Sequence, residues 1–177
     1  MKKTPLTYLF ALTALILSGC ASLVPGTTAL TCPVTGFMHG AEEIVFFGTA
    51  SKNPGKDDIA AYATLDGLKG HCRRKSKNNV VADFDFYTYA KKGGAGDTLR
   101  QQNLSYFIAV LAPDESILQR QVFYVTIPLD KENENLVPAQ HSVTIPLPPD
   151  ADASAYKITI GFTMTPEQRA FARKVLK

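Results

Sequence analysis

Cys32, His39, His71 and Cys72 are the side chains in this 177-residue chain with metal-binding chemistry near one another in sequence. Two thiolates and two imidazoles make a zinc ligand set by type. Their spacing argues against it, because His71 and Cys72 are adjacent and leave opposite faces of a strand. Two ordinary polar histidines and no metal site are expected. Hydrolytic signatures are missing as well: there is no G-x-S-x-G elbow, no H-E-x-x-H and no S-x-x-K with its companions. No catalytic residue and no cofactor is assigned. "KKGGAGDT", Lys91 to Thr98, has the glycines of a phosphate-cradling loop but lacks the Gly-Lys-Ser/Thr ending, and no helix follows. It reads as a connection between strands.

Two surfaces remain. "HCRRKSKNN", His71 to Asn79, gathers Arg73, Arg74, Lys75 and Lys77. The plain reading is a solvated turn between strands. The functional one is a patch for anionic lipid headgroups, lipopolysaccharide phosphates or an acidic envelope protein, each basic group contributing about 1 kcal/mol near such a surface. Tyr87 and Tyr89, beside Asp83 and Asp85, form either a covered sheet face or an open row that contacts protein or glycan.

The N-terminus says where these surfaces work. Lys2 and Lys3 precede an uncharged apolar run, Leu6 to Leu17, which is the pattern of a secretory signal peptide. About a dozen apolar residues fall short of the roughly 20 that a membrane-spanning helix takes. Leu17-Ser18-Gly19-Cys20 then resembles the lipobox of bacterial lipoproteins, which implies removal of residues 1–19 and acylation of Cys20. At about 0.8 kcal/mol per buried CH₂, one acyl chain anchors marginally, whereas two or three hold almost permanently. The alternative is an ordinary signal peptide or a short buried helix, with Cys20 a free thiol.

The chain has three cysteines. With Cys20 acylated, Cys32 and Cys72 remain as an even pair in an oxidising compartment, and a disulfide between them is expected. Closing a loop of about 40 residues would stabilise the fold by roughly 4 kcal/mol. The formal net charge is +3, and discounting Lys2 and Lys3 leaves +1. Near-neutral charge favours no polyanionic partner, and the envelope address excludes nucleic acid.

The elements that carry these residues read as strands. In "VVADFDFYTYA", Val80, Ala82, Phe84 and Phe86 alternate with Asp83, Asp85, Tyr87 and Tyr89. Leu104 to Ala112 is apolar on both faces and reads as a central strand. "SILQRQVFYVTIPL" is one long strand or two with a bulge. Further strands are expected at Glu43 to Gly48, Ile59 to Leu65, His141 to Leu147 and Tyr156 to Met164. Turns are expected at "DGLKG", "KKGGAGD", "APDES" and "DKENEN". Thr165-Pro166-Glu167-Gln168 starts a C-terminal helix with a capping box, and Phe171 and Val175 should face the sheet. About seven strands indicate an antiparallel β-sandwich, Ig-like in the broad sense, with a short C-terminal α-helix; an open barrel is the alternative. The expected organisation is a signal peptide over 1–19, an acylated N-terminus and tether over 20–36, and one domain over 37–177.

The lipobox, the "TCPVTG" and "GHC" cysteines, "LSYFIAVLAPDESIL" and "YKITIGFTMTPEQRAFAR" together resemble small envelope lipoproteins of Gram-negative proteobacteria. With Ala21 and Ser22, and no Asp, after the cysteine, the resemblance implies the outer membrane, with the domain facing the periplasm. The expected function is a non-enzymatic binding or assembly module that offers loops or an edge strand to another envelope protein. A small-ligand or glycan binder is second, and an envelope hydrolase third.

Overall fold

The computed structural model describes residues 30–48, 54–129, 134–148 and 151–175. The lipobox and Cys20 lie outside them. Eight strands form two four-stranded sheets. One runs β1 (Val34–Phe37), β8 (Lys157–Phe162), β5 (Gln101–Leu111), β6 (Ile117–Pro128) in spatial order, and the other β2 (Glu43–Phe47), β3 (Ile59–Ser76), β4 (Asn79–Lys92), β7 (Glu134–Pro146). All pairings are antiparallel except β1 with β8.

Alternation decides which faces meet. Val80, Ala82, Phe84 and Phe86 of β4 are buried, as are Ile158, Ile160 and Phe162 of β8 and Tyr156 just before it, and they join Tyr106, Ile108 and Val110 of β5 in one core. Phe86 stands at its middle, edge-on to Tyr106 at 5.3 Å and to Phe37 at 6.0 Å. The sandwich is thus the expected one. β5 is a central strand buried on both faces, since Phe107 and Ala109 are also shielded on the side away from the core.

The helix forms as its cap predicts. α1 (Pro166–Val175) begins after Thr165, whose N–H donates to Gln168 Oε1 at 2.8 Å, while the Gln168 N–H donates to Thr165 Oγ1 at 3.3 Å. Gln168 is buried and its Nε2 donates to the Val45 carbonyl at 2.7 Å, and Phe171 meets Phe47 at 5.4 Å. The helix therefore closes over β2. The side chain of Val175 lies outside the described residues.

Some expectations are made more definite and others change. The count is eight strands, because "VTGF" is too short to alternate and becomes β1 only by pairing with β8, from Val34 opposite Lys157 to Phe37 opposite Ile160. β1 spans Val34–Phe37, so the last residues of the stretch expected as tether enter the sheet. "DGLKG" does not turn the chain; it is a bulge between Asp66 and Lys69 in one long β3, with Gly67 at φ +69° and Tyr87 packed where its side chain would stand. The strand expected from His141 starts at Glu134, running through Pro138, which an edge strand tolerates. "SILQRQVFYVTIPL" resolves to a single strand, β6.

Cys32 and Cys72 are joined as a disulfide, forty residues apart in sequence with Cα atoms 5.6 Å apart. The bond links the chain entering β1 in one sheet to β3 in the other. Replacing both with alanine should lower unfolding stability by about 2–5 kcal/mol. Urea unfolding of the double variant and of the wild type with and without reductant measures this, and coincident midpoints for all three would contradict it.

Candidate binding surfaces

The basic cluster is a strand end. Arg73, Arg74 and Lys75 belong to β3, and Lys77 sits in the tight connection to β4. This corrects the expected solvated turn over "HCRRKSKNN": β3 extends to Ser76 because Gly70 to Arg74 pair with Phe84 to Val80 of β4. Arg73 Nε donates to Asp83 Oδ2 at 3.2 Å, and Arg74 Nη1 donates to the Lys77 carbonyl at 3.1 Å. Hydrogen bonding from Ser142, helped by Arg73 and His71, holds the Asp83 carboxyl below its ordinary range. Lys75 and Lys77 have no ion-pair or hydrogen-bonding side-chain partner among the described residues.

Position explains the charge. β2 pairs with β3 only from Ile59 to Thr64, so beyond the bulge β3 has a neighbouring strand on one side only. Such an edge invites pairing with other chains, and closely set Lys and Arg side chains prevent it. The cluster protects that edge, and the bond from Cys72 to Cys32 covers part of it.

The other singled-out residues separate. Cys32 and Cys72 use their sulfurs on each other, so Cys32, His39, His71 and Cys72 do not make a ligand set. His39 is almost fully exposed, 3.5 Å from Glu42. In "KKGGAGDT" the N–H groups of Gly93 and Ala95 donate to the Ala60 and Ile59 carbonyls at 2.8 and 3.0 Å. They are turned to β3 and away from any anion. A Cβ on Gly96 would lie 1.9 Å from the Ala60 oxygen, so glycine there serves close backbone approach.

Tyr87 and Tyr89 lie on the outer face of their sheet, opposite Pro138 and Leu136 of β7. Tyr87 is exposed and Tyr89 half-buried. The helix does not cover them, being packed on β2.

Three features were not anticipated from sequence. The first is the outer edge of β6. Among the described residues it has a strand, β5, on one side only. Tyr124 is 85% exposed, Ile117 62%, Leu118 49% and Val122 36%. Its apolar residues fall on both faces, and the second sheet covers only part of one.

The second is a polar contact inside the sandwich. His141 of β7 lies on the inward face, half-buried, with Nε2 2.9 Å from the Tyr106 hydroxyl of β5. Phe123 is 4.4 Å from its ring and Phe86 is stacked at 5.8 Å. This bond crosses between sheets. Burial pushes the His141 pKa down and the Tyr106 pKa up. A hydrogen-bonded pair among three phenylalanine rings, Phe84, Phe86 and Phe123, is a structural contact, and no nucleophile or carboxylate hydrogen-bonds to it among the described residues.

The third is a trough of about 910 Å³ between α1 and the loop after β1, with Phe107 and Arg120 among its walls. It is open to solvent along its length and mainly apolar.

No family model matches this chain, and no curated protein matches it significantly. Among solved structures, the variable (V) domain of the AgI/II polypeptide BspA of Streptococcus agalactiae matches 70% of this chain and 72% of that one, at 13% identity. The TM-score is 0.23, too low to carry any argument about fold or function.

The His141 environment generates a pH dependence. Its folded pKa is depressed below the ordinary 6.5, so the unfolded chain binds the proton first as pH falls. Stability from the neutral imidazole is fully present above about pH 7 and is lost as pH drops from about 6.5 through the folded value. His141→Phe should flatten the fall in urea midpoint between about pH 7.5 and about pH 5. Equal slopes for the variant and wild type would assign the dependence elsewhere.

Proposed function

We propose that this chain is an envelope lipoprotein, anchored by acyl chains on Cys20 in the outer membrane and facing the periplasm. Its sandwich is a non-enzymatic binding module that accepts a strand of another envelope protein along the free edge of β6.

The observation that carries the reading is the contrast among the sheet edges. Natural sheets blunt their edges by shortness, charge, proline or a covering element. β1 has four residues, β2 has five and lies under α1, β7 carries Pro138 and Pro146, and the free part of β3 is basic and disulfide-covered. β6 uses none of these devices over its length. Its twelve residues hold one charge, Arg120, and no proline before Pro128. A long apolar edge left open is the geometry of strand addition, in which main-chain hydrogen bonds supply affinity and alternate side chains supply specificity.

The disulfide supports the address, since such bonds persist in oxidising compartments. No helix among the described residues is long and apolar enough to cross a membrane, and the lipobox supplies another means of attachment. Cys20 stands twelve positions before Cys32, a tether of at most about 40 Å when extended. That length keeps the basic end of β3 within reach of the bilayer. Lys75 and Lys77 then reinforce the anchor by about 1 kcal/mol each on an anionic leaflet.

Two measurements test the reading. An alkynyl palmitate should label the wild type in its bacterial host, and Cys20→Ser should lose both the label and membrane sedimentation; an unlabelled wild type refutes the anchor. A photo-crosslinker at position 124 should capture one reproducible envelope protein. Leu118→Lys with Val122→Lys, both exposed on the same strand, should abolish that capture while changing stability by less than about 0.5 kcal/mol per site. Capture that survives both lysines would remove β6 from the interface.

A further inference from the structure

The trough on the outer side of the β1-β8-β5-β6 sheet has an apolar floor and a rim of one charge. Phe107 of β5 and Ala41 line its base, Met164 lies beside them ahead of α1, and Ala170 and Ala172 bring α1 to its side. Phe107 points away from the sandwich core, and a Cβ on neighbouring Gly161 would lie 3.1 Å from its ring and 2.9 Å from Ala41. Glycine at 161 is therefore what lets the aromatic ring lie in this face.

Arg120, Arg169, Arg173 and Lys174 all reach the trough, and among the described residues no Asp or Glu lines it. Arg120 comes from β6, with its guanidinium 4.8 Å from the centre of the Phe107 ring. Arg169 and Arg173 are one turn apart on α1, so they share a helix face. Arg169 Nη1 donates to the Met164 carbonyl at 3.2 Å, which leaves most of its donors unused. Arg173 and Lys174 have no partner among the described residues. They also complement the negative end of α1, a role that neither Arg120 nor Arg169 can have from where they stand. His39, at the far wall, is turned to Glu42. Glu167 lines a separate recess with Phe47 and Gln168; its carboxyl is held below its ordinary range by its own backbone N–H and Thr165 first, with the charge of Arg169 a lesser contribution.

We infer that this trough binds a fatty acid, with the acyl chain along Phe107 and Ala172 and the carboxylate held by Arg169 and Arg173. Small-molecule sites span about 300–1,000 Å³ and are apolar with a few polar groups that fix orientation, and this trough has that size and that distribution. Guanidinium groups take carboxylates through paired, charge-assisted hydrogen bonds. The volume suits one acyl chain better than the two chains of a phospholipid. This site is distinct from the edge of β6 proposed above, and its occupancy needs neither a protein partner nor the anchor.

A photoreactive alkynyl palmitate, added to cells making the full chain, tests it by mapping the crosslinked peptides. The expected label lies on peptides carrying Phe107 or Ala172, which separates it from acylation of the Cys20 peptide. Arg169→Gln with Arg173→Gln should cut groove labelling about tenfold or more. Ala172→Trp should fill the trough and abolish labelling. The arginine pair is exposed, so that variant keeps the test valid if the tryptophan variant fails to fold. Equal labelling by a photoreactive fatty alcohol would overturn the inference, because the cations would then be irrelevant. So would labelling by a photoreactive phospholipid in place of the fatty acid, labelling untouched by the arginine changes, or a disulfide-independent dimer that Ala172→Trp disrupts.

Discussion

The covalent bond between Cys32 and Cys72 is the constraint on which the arrangement of surfaces depends. It fastens the chain entering β1 to the distal half of β3, so one edge of each sheet is tied to the other where the layers would otherwise open. Thr31 adds a hydrogen bond from its hydroxyl to Asp152, ahead of β8, and that contact is the main reason the Asp152 carboxyl sits below its ordinary range. Together these contacts fix where the N-terminal segment leaves the domain. That exit is beside Arg73 and Lys75, so an attached tether and the densest positive charge share one end of the molecule.

A second balance runs across the sandwich at its other side. There His141 and Tyr106 exchange a hydrogen bond between sheets within a cluster of aromatic rings. Placing a half-buried imidazole in a core costs stability unless a partner meets it, and the tyrosine hydroxyl does so. The bond lies close to Phe123 of β6, so the strand with the most exposed apolar surface is also the one backed by this polar contact.

Much of this was legible in sequence, and the losses have physical reasons. The burial of Val80, Ala82, Phe84 and Phe86 followed from period-two alternation, and the start of α1 from Thr165 and Gln168. Cysteine parity led to the pairing of Cys32 with Cys72. β1 was hidden because its four residues are strand only by virtue of β8, near the other end of the chain. Gly67 looked like a turn because the same positive φ serves turns and bulges alike. The exposure of Tyr124 and the trough below Arg120 were invisible for a different reason. Alternation reports two faces but not which of them another layer covers, and a trough between a helix and a sheet belongs to neither element alone.

The parallel union of β1 with β8 orders events in time. Among the described residues, the strand made first is hydrogen-bonded to the strand made last, and β5, β8 and β1 stand side by side only once residues 157–162 exist. The β3–β4 hairpin needs no such wait, since its partners are contiguous in sequence. Synthesis therefore produces a half-built body in which β5 waits for β8 along one edge, so that Tyr106, Ile108 and Val110 lack that neighbour until residues 157–162 are made. A nascent chain in that condition is a natural client for a holding chaperone.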